Sequence, residues 1–174
     1  MSDLKVNEIK TDTIKNQAGT SALSINSAGV ATTSVKHAFY MYRSTAQQIN
    51  HASSFQLIQF NASRIDEGGG VTLGSSAKYT VPVGGAGMYV LHCHGRGETG
   101  TDGNMTIQMR LNGTAIATTY YYNAYYDGMT VPMLRNLAEG DYVQCYMSNS
   151  IGVNINVGAQ DAGDTLYFFG YRLG

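Results

Sequence analysis

The 174-residue sequence contains little charge, no tryptophan and only two prolines. Charged residues make up 13% of the chain and leave a net charge of -1, so the clustered lysines and arginines that nucleic-acid binding requires are lacking. Hydrophobic residues still make up 43%, which is enough for a buried core and argues against intrinsic disorder. The composition therefore predicts a folded protein that does not bind nucleic acid.

Long hydrophobic runs are also lacking. No segment approaches the ~20 apolar residues of a membrane-spanning helix, and the polar start, residues 1–8, has no apolar segment of a secretory signal. We therefore expect synthesis in a cytoplasm without membrane insertion. The two cysteines, Cys93 and Cys145, form no C-x-x-C motif. In a reducing compartment they are expected to be buried thiols, with a disulfide between them as the alternative.

Residues 37–174 have the composition and alternating pattern of a β domain. The chain has 21 glycines and 13 tyrosines, and short alternating runs recur between turn signals, of which Asn112-Gly113 is the strongest hairpin signal. No segment keeps a helical period. We predict an all-β, ten-stranded jelly-roll sandwich. Its strands are expected near residues 37–44, 55–61, 77–81, 87–96, 105–112, 115–122, 128–134, 141–148, 151–157 and 164–173.

Residues 1–36 differ, because they contain no aromatic side chain and few large ones. A-L-S-I alternates like a short strand, whereas Val6, Ile9 and Ile14 are spaced for one side of a helix, an alternative that the Thr and Asn content disfavours. Such a segment cannot bury a core by itself. We interpret it as an extended N-terminal arm that docks on another chain, with a flexible tail as the alternative. The docking residues expected in this arm are Val6, Ile9, Ile14, Leu23 and Ile25.

Several predicted strands are apolar on both faces. In residues 87–94 one face carries Tyr89, Leu91 and Cys93, and the opposite face carries Val90 and the histidines. A sandwich strand that faces solvent should be polar on one side. One face can fill the core, and the other needs cover from a second protein surface. The pattern therefore predicts a homo-oligomer.

The order of motifs in residues 37–174 resembles the complement C1q-like globular head, a member of the tumour-necrosis-factor-like jelly rolls. The landmarks are A-F-Y-M-Y-R-S-T-A-Q-Q-I, F-Q-L-I-Q-F-N, R-I-D-E-G-G-G, Y-T-V-P-V-G-G-A-G-M-Y-V, R-L-N-G-T, L-A-E-G-D-Y-V and T-L-Y-F-F-G-Y-R-L-G. The sequence departs from the family at Arg172, where an aliphatic residue is usual, at Gly84-Gly85-Ala86, which adds residues, and at Phe169, which replaces a small residue. The resemblance implies a tight homotrimer that assembles through aromatic strand faces. The expected interface residues are Tyr40, Tyr42, Val90, His92, Tyr167, Phe169 and Tyr171.

The arm carries no collagen-like repeat. K-V-N-E-I-K-T-D-T-I and A-G-T-S-A-L-S-I-N-S-A-G-V-A-T are similar to N-terminal segments of bacteriophage fibre and other virion proteins. This resemblance implies a non-enzymatic virion structural protein, with the arm attached to other virion proteins and the head displayed outward. The head would be a fibre or spike adhesin that contacts a host surface glycan or protein, or a capsid decoration protein. A carbohydrate-binding, lectin-like module is the alternative function.

No catalytic motif, cofactor loop or complete metal site is recognisable. His92 and His94 point to the same face of a strand, but two ligands fall short of a closed zinc site, so we expect no metal while leaving that pair open. The loop acids Asp66, Glu67, Asp161 and Asp164 have the oxygen ligands of a Ca²⁺ site, although turn preference explains them as well.

Five of the thirteen tyrosines lie in residues 118–127. Tyrosine and asparagine together form rigid, amphipathic contact surfaces. The segment is therefore predicted either to contact a ligand or partner, or only to cover a sheet face or the trimer seam. The residues expected at a ligand are Tyr120, Tyr122, Tyr125 and Tyr126.

Overall fold

The computed structural model describes residues 13–15, 21–25, 31–33, 36–98, 103–121, 128–158 and 165–173. The chain divides into two compact units, Met1–Lys36 and His37–Gly174. In the described ranges no helix is long and apolar enough to cross a bilayer.

The first unit contains three short strands, β1 (Thr13–Lys15), β2 (Ser21–Ile25) and β3 (Ala31–Thr33). They form an antiparallel meander in which Ile14 pairs with Leu23, and Ile25 with Ala31. The strand expected from A-L-S-I lies in β2. The helical alternative is wrong at Ile14, which lies in a strand, because pairing with β2 supplies the backbone hydrogen bonds that a Thr-rich helix would hold weakly. Val6 and Ile9 lie outside the described residues.

The described part of the second unit contains thirteen strands and one 3₁₀ turn, Gly74–Ser76. The strands are β4 (Ala38–Tyr42), β5 (Gln47–Ile49), β6 (Ala52–Leu57), β7 (Ala62–Glu67), β8 (Val71–Thr72), β9 (Lys78–Thr80), β10 (Gly87–Glu98), β11 (Met105–Leu111), β12 (Thr114–Tyr121), β13 (Gly128–Leu137), β14 (Tyr142–Asn149), β15 (Ile155–Val157) and β16 (Leu166–Arg172).

Two antiparallel sheets form a jelly-roll sandwich. The first has the order β5-β15-β10-β16-β4-β7, with β13 also paired to β10, and the second has the order β12-β11-β14-β9-β8. The predicted all-β class is confirmed, but ten strands were too few. The strands β5, β7 and β8 were missed. Two of them have three residues or fewer, and β7 is a polar, exposed edge strand without the expected alternation.

The core lies between the two sheets and follows strict alternation. In β14, Val143, Cys145 and Met147 point inward and are fully buried, whereas their neighbours are half-buried. Phe39 of β4 stacks on Tyr79 of β9 with ring centroids 3.9 Å apart, which joins the two sheets. Each such buried aromatic or aliphatic side chain stabilises the fold by roughly 1.5–3 kcal/mol.

The two cysteines also meet across the sandwich. Cys93 of β10 and Cys145 of β14 are buried free thiols, and their side chains hydrogen-bond to each other. Burial, followed by the contact with Cys93, raises the pKa of the Cys145 thiol. The structure therefore has the expected buried thiols, and the disulfide alternative is not formed.

The Asn112-Gly113 hairpin joins β11 to β12 as predicted. Asn112 has φ 49° and Gly113 has φ 83°, the left-handed geometry that this dipeptide tolerates. The Asn112 amide donates to the Asp141 carboxylate at 2.7 Å and accepts the Tyr142 N–H at 2.9 Å. The hairpin is thus tied to the turn that precedes β14.

Candidate functional site

The outward side of the first sheet carries an aromatic surface built by three neighbouring strands, β10, β16 and β4. Their register aligns the side chains in rows, because directly paired residues point to the same side of a sheet. One row is His92, Phe169 and Tyr40, the next is His94, Tyr167 and Tyr42, and a third contains Val90 and Tyr171. We call these eight residues the aromatic face. They include all seven side chains expected at a trimer interface.

The rings of the aromatic face contact one another. His92 stacks on Phe169 with centroids 5.0 Å apart, and His94 stacks on Tyr167 at the same distance. Tyr40 stacks on Tyr167 at 5.5 Å and on Phe169 at 6.2 Å. Such pairs are worth ~0.5–1.5 kcal/mol beyond burial of their area. The contacts hold the rings as one connected layer.

This layer is partly open on a single chain. Tyr171 is 44% exposed, and beside it Leu134 of β13 and Met88 of β10 are 64% and 43% exposed. Across β13, β10, β16 and β4 the three rows contain no aspartate, glutamate, lysine or arginine. Apart from the Arg64 guanidinium of β7, whose Cζ atom lies 5.0 Å from the centroid of the Tyr42 ring, the face is an uncharged and largely apolar surface of the kind typical of protein contact sites.

The two histidines of the aromatic face are held in an apolar setting. Burial lowers the pKa of His92, and burial followed by the neighbouring His92 lowers the pKa of His94. Among the residues that the structure describes, none is a hydrogen-bond partner for the buried Nδ1 atom of His92. Both rings are therefore held as neutral imidazoles.

Among the described residues no group of three or more His, Cys, Asp or Glu is placed to hold a metal ion. His92 and His94 point to the same side, as expected, but their ring planes lie against Phe169 and Tyr167. Asp66 accepts the N–H groups of Gly70 and Val71, so the turn explanation accounts for it. Asp161 and Asp164 lie outside the described residues.

The other predicted contact residues are dispersed. Tyr120 lies on β12 of the second sheet and is 65% exposed. The remaining tyrosines expected at a ligand, at positions 122, 125 and 126, lie outside the described residues. In the arm, Ile14, Leu23 and Ile25 are placed on β1 and β2. Their docking role stays a prediction.

Sequence reasoning missed a polar cluster on the outward side of the second sheet. Arg110 of β11 lies with its Cζ atom 4.1 Å from the centroid of the Tyr146 ring and 5.4 Å from that of Phe55. Its Nε–H donates to Gln108 at 2.7 Å. Phe55, Arg110 and Tyr146 are far apart in sequence and meet only through the packing of their strands, so no local motif could have identified the cluster.

Comparison with solved structures identifies the fold of the second unit. The globular domain of zebrafish complement 1qA protein aligns with a TM-score of 0.56 and 16% identity, over 80% of this chain and 98% of that one. Murine APRIL, solved at pH 5.0, aligns with a TM-score of 0.59 and 10% identity, over 79% and 99%. No family model and no curated protein matches the sequence. At these identities the likeness shows a C1q- and tumour-necrosis-factor-like jelly roll, and it does not extend to a function.

Proposed function

We propose that this chain is a non-enzymatic structural protein that assembles as a homotrimer through the aromatic face. The observation that carries the proposal is the uncharged layer on β10, β16 and β4, which a single chain leaves partly open to water. Two further copies around a threefold axis would cover it. The C1q- and tumour-necrosis-factor-like fold is compatible with that arrangement.

The aromatic face fits a like surface better than a small ligand. Its rings stack on each other as a connected layer, whereas small-molecule sites are concave with a few convergent polar groups. Closed symmetric assemblies are the commonest way for soluble proteins to cover such a surface. The rows around Phe169, at the centre of the layer, would lie nearest the axis.

We propose that this trimer is a component of a bacteriophage virion. The support is the similarity of K-V-N-E-I-K-T-D-T-I and the following A-G-T and A-G-V turns to virion N-terminal segments. The arm, residues 1–36, would attach to other virion proteins, and the head would project outward. A fibre or spike and a capsid decoration protein are both consistent with this arrangement. A lectin-like module that binds carbohydrate around Tyr120 stays the alternative function.

The first test is the mass of the purified full chain in solution, measured by light scattering during size-exclusion chromatography. We expect three times the chain mass of 18.7 kDa. A single-copy species at micromolar concentration would overturn the assembly proposal.

The second test concerns the arm. A variant lacking residues 1–36 should stay trimeric, because the second unit has its own core, but it should lose incorporation into particles. Normal incorporation of the truncated head would contradict the docking role. The position and copy number of the protein in a particle reconstruction distinguish a fibre from decoration.

A further inference from the structure

The polar cluster around Arg110 presents a fixed guanidinium on the outward side of the second sheet. The half-buried side chain is held from two directions, by the Tyr146 and Phe55 rings and by the hydrogen bond from Nε to Gln108. Gln108 is itself 8% exposed, and its amide donates to the Thr118 hydroxyl at 3.1 Å. Because that bond orients the Gln108 carbonyl toward Arg110, the guanidinium plane is fixed before any ligand arrives.

The fixed guanidinium still has donors to offer. In the part of the chain that the structure describes, the terminal nitrogens Nη1 and Nη2 of Arg110 have no hydrogen-bond partner, and no carboxylate lies within 4.0 Å of them. An arginine presents its N–H groups in a planar fork that matches the two oxygens of a carboxylate. A fork held in place loses little side-chain entropy when it binds.

The neighbours of Arg110 define the rest of the ligand. They are neutral: the Gln144 carbonyl accepts the Tyr146 hydroxyl at 3.3 Å, and Thr118 follows on the next strand. The one lysine of this sheet, Lys78, lies over the Tyr142 ring. A polyanion would favour several cations together. A single cation among amides, hydroxyls and aromatic rings instead fits a ligand with one carboxylate, several hydroxyls and an apolar ring face.

We propose that Arg110 and its neighbours bind an acidic sugar unit, of the uronic or sialic acid type. The carboxylate would pair with Nη1 and Nη2 of Arg110, the sugar hydroxyls would meet Gln144 and the Tyr146 hydroxyl, and its C–H face would lie on Phe55. All these residues come from one chain and from the sheet opposite to the aromatic face. The site therefore does not depend on the proposed trimer.

The test is saturation-transfer NMR of the full-length protein with glucuronate as the probe and glucose as its neutral match. We expect a saturable signal for glucuronate and a much weaker one for glucose. Arg110→Lys keeps the charge but loses the planar fork, and should weaken glucuronate binding by at least about tenfold. Arg135→Lys, at an exposed arginine of β13, is the matched control and should leave binding unchanged.

Four outcomes would overturn the proposal: no saturable glucuronate signal, equal binding of glucose, full binding by Arg110→Lys, or stronger competition by a tetraglutamate peptide than by a sugar acid. The last would identify an acidic-peptide site instead. If Arg110→Lys does not fold, Phe55→Leu replaces it, because it removes the aromatic platform while the Tyr146 ring and the Gln108 carbonyl still hold the guanidinium. That variant should weaken glucuronate and leave the response to acetate unchanged, and equal losses for both ligands would contradict the sugar assignment.

Discussion

The two outward faces of the sandwich are built by the same strand alternation, yet they have opposite chemistry. On the first sheet, rings stack on rings, and the buried Nδ1 of His92 has no hydrogen-bond partner within the described part of the chain. On the second sheet, Thr118, Gln108 and Arg110 form a connected hydrogen-bonded chain. The comparison teaches that the alternating pattern of a strand separates core from surface, while the residue types on the outer side determine what the surface can bind.

The physical difference between the faces is the cost of leaving each in water. The hydrogen-bonding groups of the polar face pair with each other or, like Nη1 and Nη2 of Arg110, can bond to water, so its exposure costs little free energy. The aromatic face gains only by being covered, because exposed apolar area carries an unfavourable free energy of about 25 cal/mol per Å². The aromatic face therefore favours a permanent protein contact, and the polar face favours a reversible one.

The largest expected effect comes from placing a charge on the aromatic face. Phe169→Asp would remove the ring that stacks on His92 and bury a carboxylate in the proposed trimer, where the three rows hold no lysine or arginine to neutralise it, at a cost of several kcal/mol for each copy. We expect a folded monomer at micromolar concentration, measured by light scattering. Tyr120→Asp is the matched control on the second sheet, and it should remain trimeric because Tyr120 is already 65% exposed.

A result in which both aspartate variants stay trimeric would show that the aromatic face is not the contact. The alternative contact would then have to be sought elsewhere on the chain. A result in which both variants dissociate would show that a new charge on either face disrupts assembly, so the aromatic face would not be the specific contact.

The next residue along β16 tests the opposite side of the same strand. A Cβ atom added at Gly170 would lie 2.7 Å from Phe39 and 2.8 Å from Leu91, both in the core. Gly170→Ala should therefore lower the free energy of unfolding by roughly 1–3 kcal/mol through overpacking, while the oligomeric state stays unchanged. Denaturant unfolding measures the first quantity and light scattering the second.

The adjacent pair sharpens the comparison, because Phe169 should affect assembly and Gly170 should affect folding. If Gly170→Ala instead dissociates the assembly without lowering stability, strand β16 does not separate the two functions.

The sequence was sufficient to predict the sandwich and the membership of the aromatic face. Alternation within β10 places His92 and Cys93 on opposite sides, and alternation within β16 does the same for Phe169 and Phe168. The register pairs His92 with Phe169 and Cys93 with Phe168, which confirms that grouping. Alternation works here because neighbouring residues of a strand point in opposite directions whatever the register.

The polar cluster could not be predicted in the same way. Phe55, Arg110 and Tyr146 meet only because β6, β11 and β14 lie close together with a particular register, which depends on long-range pairing. The same holds for two departures from the family pattern. Arg172 donates to the Gly84 carbonyl at 2.9 Å, so the added glycine segment and the unusual arginine contact each other.

A smaller effect is expected from acid. The pKa of His92 and of His94 lies below the ordinary 6.5 in the folded chain, with burial as the first cause for both. Their neutral rings therefore contribute stability that is present above pH 6.5 and is lost as the pH falls through the lowered values. We expect the assembly to weaken at about pH 5.

The control for acid is the third histidine with a lowered pKa, His37, which is buried beside Arg172 rather than placed on the aromatic face. Sedimentation at neutral and acidic pH should show that the double variant His92→Gln, His94→Gln resists dissociation, while His37→Gln dissociates like the unaltered protein. A fully intact assembly of the unaltered protein at pH 5 would show that protonation of these histidines does not weaken the assembly.

The smallest expected effect lies on the polar face. Thr118→Val removes the acceptor of the Gln108 amide, which is nearly buried beneath Arg110, and an unsatisfied buried donor costs about 1 kcal/mol or more. The free energy of unfolding should fall by that amount without any change in oligomeric state. Thr114→Val is the matched control on the same strand, because Thr114 is exposed. If the two valine variants are equally stable, the hydrogen bond between Gln108 and Thr118 contributes nothing measurable to folding.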